Sequence, residues 1–433
     1  MKALLCKYFL CIVCAIPTLS HANCPSSESH FIKAIGIEGN NRTQSEMIIR
    51  ESNLKVGTHT CNTDIETGIE KIRSMGLFTD VKSVVNSNSL RETNITIKVQ
   101  EKWTTIPIFK INSGGGVTQY TLGVYDPNAM GKFIELGTQY ENLAGISSGV
   151  IWYKNPRLFG KRQGIDVQYW NTRRIRTIYN SERNDPVPEA GFLHKREKFY
   201  IDYFKEIKDA SLWRVSMDYN YDKFSTEELP QNILEKNSSG FEMPPSTKLV
   251  ITKIGIEFGQ VKGESHMLSG YKLTTSIGYA LPLKREVSDF SQGDIGYLLY
   301  VPLSTRTQFA QRIQIGATST DIFQYRYYLG GLDRLRGFSD NRFSGRFYSL
   351  SNSEFRFVIS QQPSIITQGV SFIDFAGFGE HAHYLFMVRA ASLGAGIRLI
   401  LPHFYRFVLR LDFAKPLVKT DSMNWSFGVQ HFF

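Results

Sequence analysis

Three groups of residues in this chain carry side chains capable of chemistry. Gly330 to Phe338 reads Gly-Gly-Leu-Asp-Arg-Leu-Arg-Gly-Phe, inside a long stretch rich in Gly, Arg and Tyr that lies between two runs with strand alternation. Paired glycines permit a tight turn, and Arg336 ahead of Gly337 puts a planar cation on a hinge that can approach other backbone closely. Taken alone, the run equally describes a solvated turn. Gly145 to Gly149 spells Gly-x-Ser-x-Gly. It falls in an expected hairpin between strands and not in a strand-to-helix elbow, so no catalysis is assigned to it. Glu380, His381 and His383 have the donor types of a metal site, but a loop cluster of this kind is ordinarily solvated. No metal and no cofactor are expected, and the chain is not read as an enzyme.

The elements that must position these residues are strands. Trp213, Val215, Met217, Tyr219 and Tyr221 fall on one face, with Arg214, Ser216, Asp218 and Asn220 on the other. Tyr405, Phe407, Leu409, Leu411 and Phe413 alternate in the same way with Arg406, Val408, Arg410 and Asp412. Phe355, Phe357 and Ile359 interleave with Glu354, Arg356 and Ser360. A period of two sets an apolar face against something and a polar face against water. A soluble sandwich and a membrane barrel both produce it. Export of the chain, the lack of an apolar stretch long enough to span as a helix, and aromatics crowding the strand ends favour the barrel. About sixteen strands of roughly ten residues are counted. The long connections after Thr172, Tyr221 and Thr318 are expected outside the cell, and the tight turns at Ala144-Gly145 and Pro402-His403 in the periplasm.

Residues 1–22 read as a secretory signal: Lys2 and Lys7, an apolar core from Tyr8 to Ile16, Pro17, and small residues around a cut after Ala22. Of five cysteines, Cys24 and Cys61 remain in the mature chain. In an oxidising compartment they are expected to form a disulfide. A formal charge of +10 suits a basic lumen or loops facing anionic lipid, and export makes nucleic acid an unsuitable partner.

Residues 30–103 read as a compact α/β module. A strand from Ile32 to Glu38 and a turn at Gly39-Asn40-Asn41 lead to Thr43-Gln44-Ser45-Glu46, which fits a capping box. Thr63-Asp64-Ile65-Glu66 repeats the pattern and opens a helix with Ile65, Ile69, Ile72 and Met75 on one face, stopped by Gly76. Val81 to Val85 and Asn94 to Val99 alternate as strands, and an exposed strand edge in such a module can accept a guest strand.

Together these residues resemble the superfamily of outer-membrane assembly and secretion barrels typified by BamA, TamA and FhaC, which place periplasmic POTRA domains before a sixteen-stranded barrel. Met75-Gly76-Leu77-Phe78 and Val99-Gln100-Glu101-Lys102-Trp103 resemble the end of a helix and the exit of a POTRA domain. Gly330-Gly331 through Arg336-Gly337-Phe338 resembles the motif of the long sixth loop. Ser353-Glu354-Phe355-Arg356, Phe372 to Gly377 and Ala391 to Gly396 resemble the strand motifs that follow it. The resemblance implies a mainly β fold: a signal at 1–22, one POTRA domain at 23–103 and a 16-stranded transmembrane β-barrel at 104–433.

It further implies that Arg336 turns into the lumen and pairs with Asp374, with Glu354 nearby. Such a pair contributes about 1 kcal/mol if wet, and losing one partner costs about 3 to 5 kcal/mol if the site is dry. Phe433, Phe427 and Trp425 would form the membrane-targeting terminal strand, in which His431 departs from the apolar pattern. Ser113 to Gly116 and Gly428 would weaken the seam between first and last strands. The implied partners are outer-membrane lipid, unfolded outer-membrane or secreted client proteins, and accessory periplasmic proteins. Two activities stay open: assembly of outer-membrane proteins, and a secretion pore of the FhaC type. One POTRA domain is fewer than the named members carry.

Overall fold

The computed structural model describes residues 29–88, 92–114, 117–143, 145–179, 188–208, 210–227, 229, 237, 242–264, 266–284, 286–331, 333–339, 341–417, 424–429 and 433. The expected signal and Cys24 lie outside the described residues. Cys61 is disulfide-bonded.

The first unit contains β1 (His30–Glu38), α1 (Ser45–Ser52), β2 (His59–Thr60), α2 (Asn62–Ser74), β3 (Phe78–Ser87) and β4 (Glu92–Glu101). Its sheet has the order β2-β1-β4-β3, with β1 parallel to β4. Ile65, Ile69 and Ile72 recur at helical spacing and are buried with Ile32, Ile48, Val81, Ile95 and Ile97 in one core. Gly76 follows α2 at φ 75°, where a side chain would be strained.

Neither expected capping box forms. The residue before α1 is Gln44 and the residue before α2 is Cys61, and neither side chain caps its helix. Thr43 is drawn away by tertiary contacts: its hydroxyl accepts from Asn128 Nδ2 at 2.8 Å, and its backbone N–H donates to Glu101 Oε1 at 2.7 Å. Docking against the next domain therefore overrides the local cap.

From Ile106 onward the chain is a barrel: β5 (Ile106–Gly114), β6 (Val117–Ala129), β7 (Ile134–Leu143), β8 (Ile146–Asn155), β9 (Gln163–Tyr179), β10 (Pro188–Lys208), β11 (Ser211–Ser225), β12 (Thr247–Phe258) continued by β13 (Val261–Glu264), β14 (Met267–Pro282), β15 (Phe290–Pro302) and β16 (Thr307–Thr318). A short hairpin of β17 (Tyr327–Leu329) and β18 (Phe343–Gly345) interrupts it. The wall then resumes with β19 (Phe347–Gln361), β20 (Ile366–Gly379), β21 (Ala390–Ile400), β22 (Val408–Pro416) and β23 (Asn424–Val429). Counting β12 and β13 as one strand broken at Gly259, whose φ is 94°, sixteen antiparallel strands close on themselves. Pairing from strand to strand satisfies the backbone groups that hydrocarbon would leave bare, and it is thinnest where β23 returns to β5 among the described residues.

The two faces separate as the alternation predicts. Val215, Met217, Phe355, Phe357 and Ile359 are exposed on the outside, whereas Ser216, Asp218, Asn220, Glu354 and Arg356 are buried inside. An apolar outer belt over a polar interior is the membrane-barrel arrangement.

Three details differ from the sequence reading. The strand through Thr172 continues to Tyr179, and β9 and β10 reach 17 and 21 residues. About 9 to 11 suffice to cross a bilayer, so this hairpin projects beyond the wall. Its register, unbroken from Ala190↔Ile178 to Lys205↔Gln163, holds it together where clustered arginines hide the alternation. Second, hairpin ends alternate along the wall: the 130–133 turn meets the POTRA domain, where Gln44 N–H donates to Gly131 O. Gly145 therefore sits at the opposite end, not on the POTRA side. Third, β22 begins only at Val408, because Tyr405 is pulled out of strand geometry to pack on the POTRA core. The remainder of the expected terminal strand, 430–432, lies outside the described residues.

Candidate functional site

Residues 319–346, between β16 and β19, fold back into the lumen. Two glycines permit this path. Gly330 sits at φ 119° with a hypothetical Cβ 2.1 Å from Ser339 O, and Gly337 at φ 88°. The bend is closed by Gly331 N–H donating to Phe338 O at 2.9 Å. Phe338 packs with Leu329, Leu335, Phe343, Leu350 and Phe378 in an apolar cluster that seats the loop tip against β19 and β20.

Arg336 emerges from this tip fully enclosed. Its Nε donates to Asp374 Oδ2 at 2.8 Å and its Nη2 to Oδ1 at 2.7 Å, a fork on one carboxylate. Nη1 donates to Glu354 Oε1 at 2.5 Å. The guanidinium carbon lies 3.5 Å from the centroid of the Phe372 ring, so a third side is covered by a π face. Glu354 stands opposite Phe372, and Asn352 opposite Asp374, in the β19–β20 register, which is why all of them point into the lumen. Arg336 is 2% exposed and both carboxylates 0%. The site is dry, so removing one partner leaves an uncompensated buried charge at a cost of about 3 to 5 kcal/mol.

The network continues along the wall. Arg356 Nη2 lies 2.7 Å from Glu354 Oε2, and Arg398 Nη1 lies 2.6 Å from Asp412 Oδ1. Arg356 Nε also donates to Glu354 Oε2 at 2.8 Å, so Glu354 is hydrogen-bonded from two arginines at once.

A second fastening, not foreseen from the sequence, lies near the start of the loop. Asp222 of β11 is fully buried and accepts from Tyr325 Oη at 2.6 Å, Arg196 Nε at 2.6 Å and Thr247 Oγ1 at 3.2 Å, with His194 Nε2 also at 2.6 Å. Gln324 Nε2 donates to Thr247 Oγ1 at 3.0 Å, and the Tyr325 ring packs 5.1 Å from Phe290. The loop is thus a strap between β11 and the β19–β20 pair. The available signal was Asp222 continuing the inward face of Asp218 and Asn220. Glu380 is engaged by Arg326 and Arg346.

At the other end the POTRA domain sits on the barrel turns. Arg157 Nη2 reaches Glu51 Oε2 at 2.8 Å and its Nη1 reaches Glu206 Oε1 at 2.7 Å. Arg42 Nη2 reaches Asp126 Oδ2 at 2.9 Å. Glu101 accepts backbone N–H groups from Asn41, Arg42 and Thr43. Burial pushes its carboxyl up, but these hydrogen bonds prevail and hold it below the usual range.

The terminal residues are divided. Trp425 and Phe413 are opposite each other and exposed on the outer face. Phe427 lies opposite Leu411 on one side and Ile111 on the other, and Phe427↔Ile111 is the one β23–β5 pair among the described residues. Phe433 does not join them. Its ring lies 6.3 Å from Tyr300, and the guanidinium carbons of Arg312 and Arg356 lie 5.1 and 5.4 Å from it. Tyr300 shares its face with Ala310 and Glu354 through successive register pairs, so Phe433 is inside the lumen. Two arginines offer its π face a cation there. His431 lies outside the described residues.

Residues 169–433, more than half of the chain, match the Omp85 superfamily domain, and residues 30–102 match the surface antigen variable number repeat, a POTRA unit. The structure is similar to CdiB from Escherichia coli, with TM-score 0.65 and 13% identity over 92% of this chain and 76% of that one. It is also similar to CdiB from Acinetobacter baumannii, with TM-score 0.61 and 13% identity over 93% and 73%. BamA from Haemophilus ducreyi lacking POTRA domains 1-3 gives TM-score 0.51 and 17% identity over 92% and 84%. Identities this low carry the fold alone. With one POTRA unit leading into a sixteen-stranded wall, and the family match running from β9 through the inward loop to residue 433, the chain belongs to the Omp85 superfamily.

Proposed function

We propose that this protein assembles proteins into the bacterial outer membrane. The exported chain carries its signal at 1–22, its POTRA domain at 23–103 in the periplasm receives clients, and the barrel at 104–433 opens laterally between β5 and β23. The observation that carries this reading is the seam. Neighbouring strands elsewhere in the wall pair along most of their length, whereas β23 meets β5 at the single pair Phe427↔Ile111 among the described residues. In hydrocarbon each unpaired backbone group costs several kcal/mol, so a thin seam is retained where an incoming strand can take up its donors and acceptors. The clasp of Arg336 on Asp374 and Glu354 holds the lumen loop beside that seam, and Asn424 Nδ2 donates to Gly337 O at 2.5 Å. Accessory periplasmic proteins would join through the POTRA domain, Cys24 would close the disulfide of Cys61, and no nucleic acid takes part.

The second reading is a secretion pore of the FhaC type, and the arginine-lined space beside the loop favours it, since a passing chain would cross that space. Depletion separates the two. Loss of many outer-membrane proteins supports assembly, and loss of one secreted partner supports secretion. Cysteines placed at 111 and 427 and oxidised to a cross-link should block assembly. An unimpaired cross-linked protein would rule out the lateral opening.

A further inference from the structure

Between the strap and the inner wall lies a cavity of about 380 Å³. Its borders come from β6, β7, β9 and β10, from the loop, and from β22 and β23 beside the seam. Six arginines line it, Arg174, Arg176, Arg196, Arg326, Arg334 and Arg410, against two carboxylates, Glu141 and Asp333. Both carboxylates are already taken by wall arginines, and Arg196 and Arg326 pair outside the lining with Asp222 and Glu380. Glu141 Oε2 lies 3.1 Å from Arg174 Nη2, and Asp333 Oδ1 lies 3.5 Å from Arg410 Nη2. A carboxylate engages at most two of the five donors on a guanidinium, so these pairs do not exhaust the cavity's capacity for anions. Arg334 is held by Tyr328 O at 3.1 Å and by the Tyr348 ring at 5.5 Å, which keeps its charge in place without neutralising it.

We propose that this cavity binds a carboxylate-bearing stretch of polypeptide in extended form, which rests on the reading of the chain as a handler of polypeptide clients. Guanidinium forks match carboxylates in geometry as well as charge. Gly330 and Gly331 on its border let a guest backbone come close. No aliphatic side chain lines the cavity among the described residues, and its apolar part is limited to the rings of Tyr327, Tyr328 and Phe427, so a lipid with long acyl chains is disfavoured as the occupant. Its volume matches a small-ligand pocket, enough for a few residues at a time. Phe427 and Gly428 on its border place it next to the thinly paired seam.

The test uses the full chain in detergent micelles and fluorescently labelled hexaglutamate and hexalysine peptides, followed by anisotropy. Hexaglutamate should bind saturably and hexalysine should not. Arg174→Gln combined with Arg176→Gln should weaken hexaglutamate about tenfold or more, as loss of charge-assisted hydrogen bonds requires. Arg334→Gln, which orphans no carboxylate named here, should weaken it in the same direction with the loop still protease-resistant. Unchanged affinity in both variants, equal binding of hexalysine, or full displacement of the peptide by inorganic phosphate or a short-chain phosphatidic acid at matched charge would overturn the proposal. Because binding is read on the isolated protein, a failure here with assembly intact removes the cavity alone. Acidic-peptide binding without any assembly defect on depletion removes the functional reading and leaves the site.

Discussion

Tyr325 Oη donates to Asp222 Oδ2 at 2.6 Å, which ties the loop that carries Arg336 to a second wall, separated from β19 by β12 to β16. A loop fastened once could swing about its clasp, whereas a loop fastened at two distant strands is held in one pose. Breaking either tie should therefore free a different part of it.

Asp222→Asn keeps the shape but weakens the bonds from Arg196 and Tyr325, and Tyr325→Phe removes one hydrogen bond worth about 0.5 to 1.5 kcal/mol. Both variants should raise protease cleavage and hydrogen exchange in residues 319–329 while residues 333–339 stay protected. Uniform exposure of the whole loop would mean the two ties act as one.

Arg336→Ala strands Asp374 and Glu354 as buried charges and should destabilise the folded loop by about 3 to 5 kcal/mol. The barrel should still insert, since its wall hydrogen bonds are untouched, but activity should fall. Arg336→Lys should recover little, because an ammonium cannot fork Asp374 while also reaching Glu354. A fully active, protease-resistant Arg336→Ala protein would contradict this.

Gly337→Ala tests the hinge rather than the charge. At φ 88° an added Cβ is strained, and it would also meet Ala414 Cβ and Pro416 Cδ at 3.3 Å. The strain amounts to about 1 to 2 kcal/mol. A thermal scan of the purified barrel should show a loss of that order, with Arg336 still in place.

Arg157→Ala leaves Glu51, which is 6% exposed, without its partner on the barrel. The POTRA domain should stay folded, since the buried residues of its core are its own and only Phe133 and Tyr405 of the barrel pack against them, but its docking should loosen. Spin labels on α1 and on the 130–133 turn should report a broadened distance distribution, and an unchanged one would place the docking energy in Arg42 and Tyr405 instead.

Glu101 gives the turn at 41–43, which presents Arg42 and Thr43 to the barrel, a pH dependence of its own. Its folded pKa lies below its ordinary value of 4.5. Its contribution is therefore complete above that value and is lost as the pH falls through the folded pKa. Loosening of the turn at 41–43, followed by hydrogen exchange, should set in below about pH 4.5 and lose this acid dependence in Glu101→Gln, in which the turn is already looser at neutral pH.

Much of this was legible in the chain. The alternation of Val215, Met217 and Tyr219 with Ser216, Asp218 and Asn220 specifies a wall with one wet face, because side chains in a strand must alternate whatever the fold around them. The order of the Arg336, Glu354 and Asp374 motifs was enough to propose their pairing. Local patterns misled where another domain intervened. Thr43 looked like a cap and became a docking contact, and Tyr405 looked like a strand residue and packs on the POTRA core.

By itself, then, the sequence determined which residues face water and which face an apolar medium, since period and residue type are properties of a segment. Only the tertiary structure decided that Arg336 is dry, that Asp222 meets Tyr325 across 103 residues, that Phe433 turns inward and that six arginines share one cavity. Those facts depend on which strands become neighbours across a closed wall and on where the loop lies within it, and neither is written in the spacing of residues along a single strand.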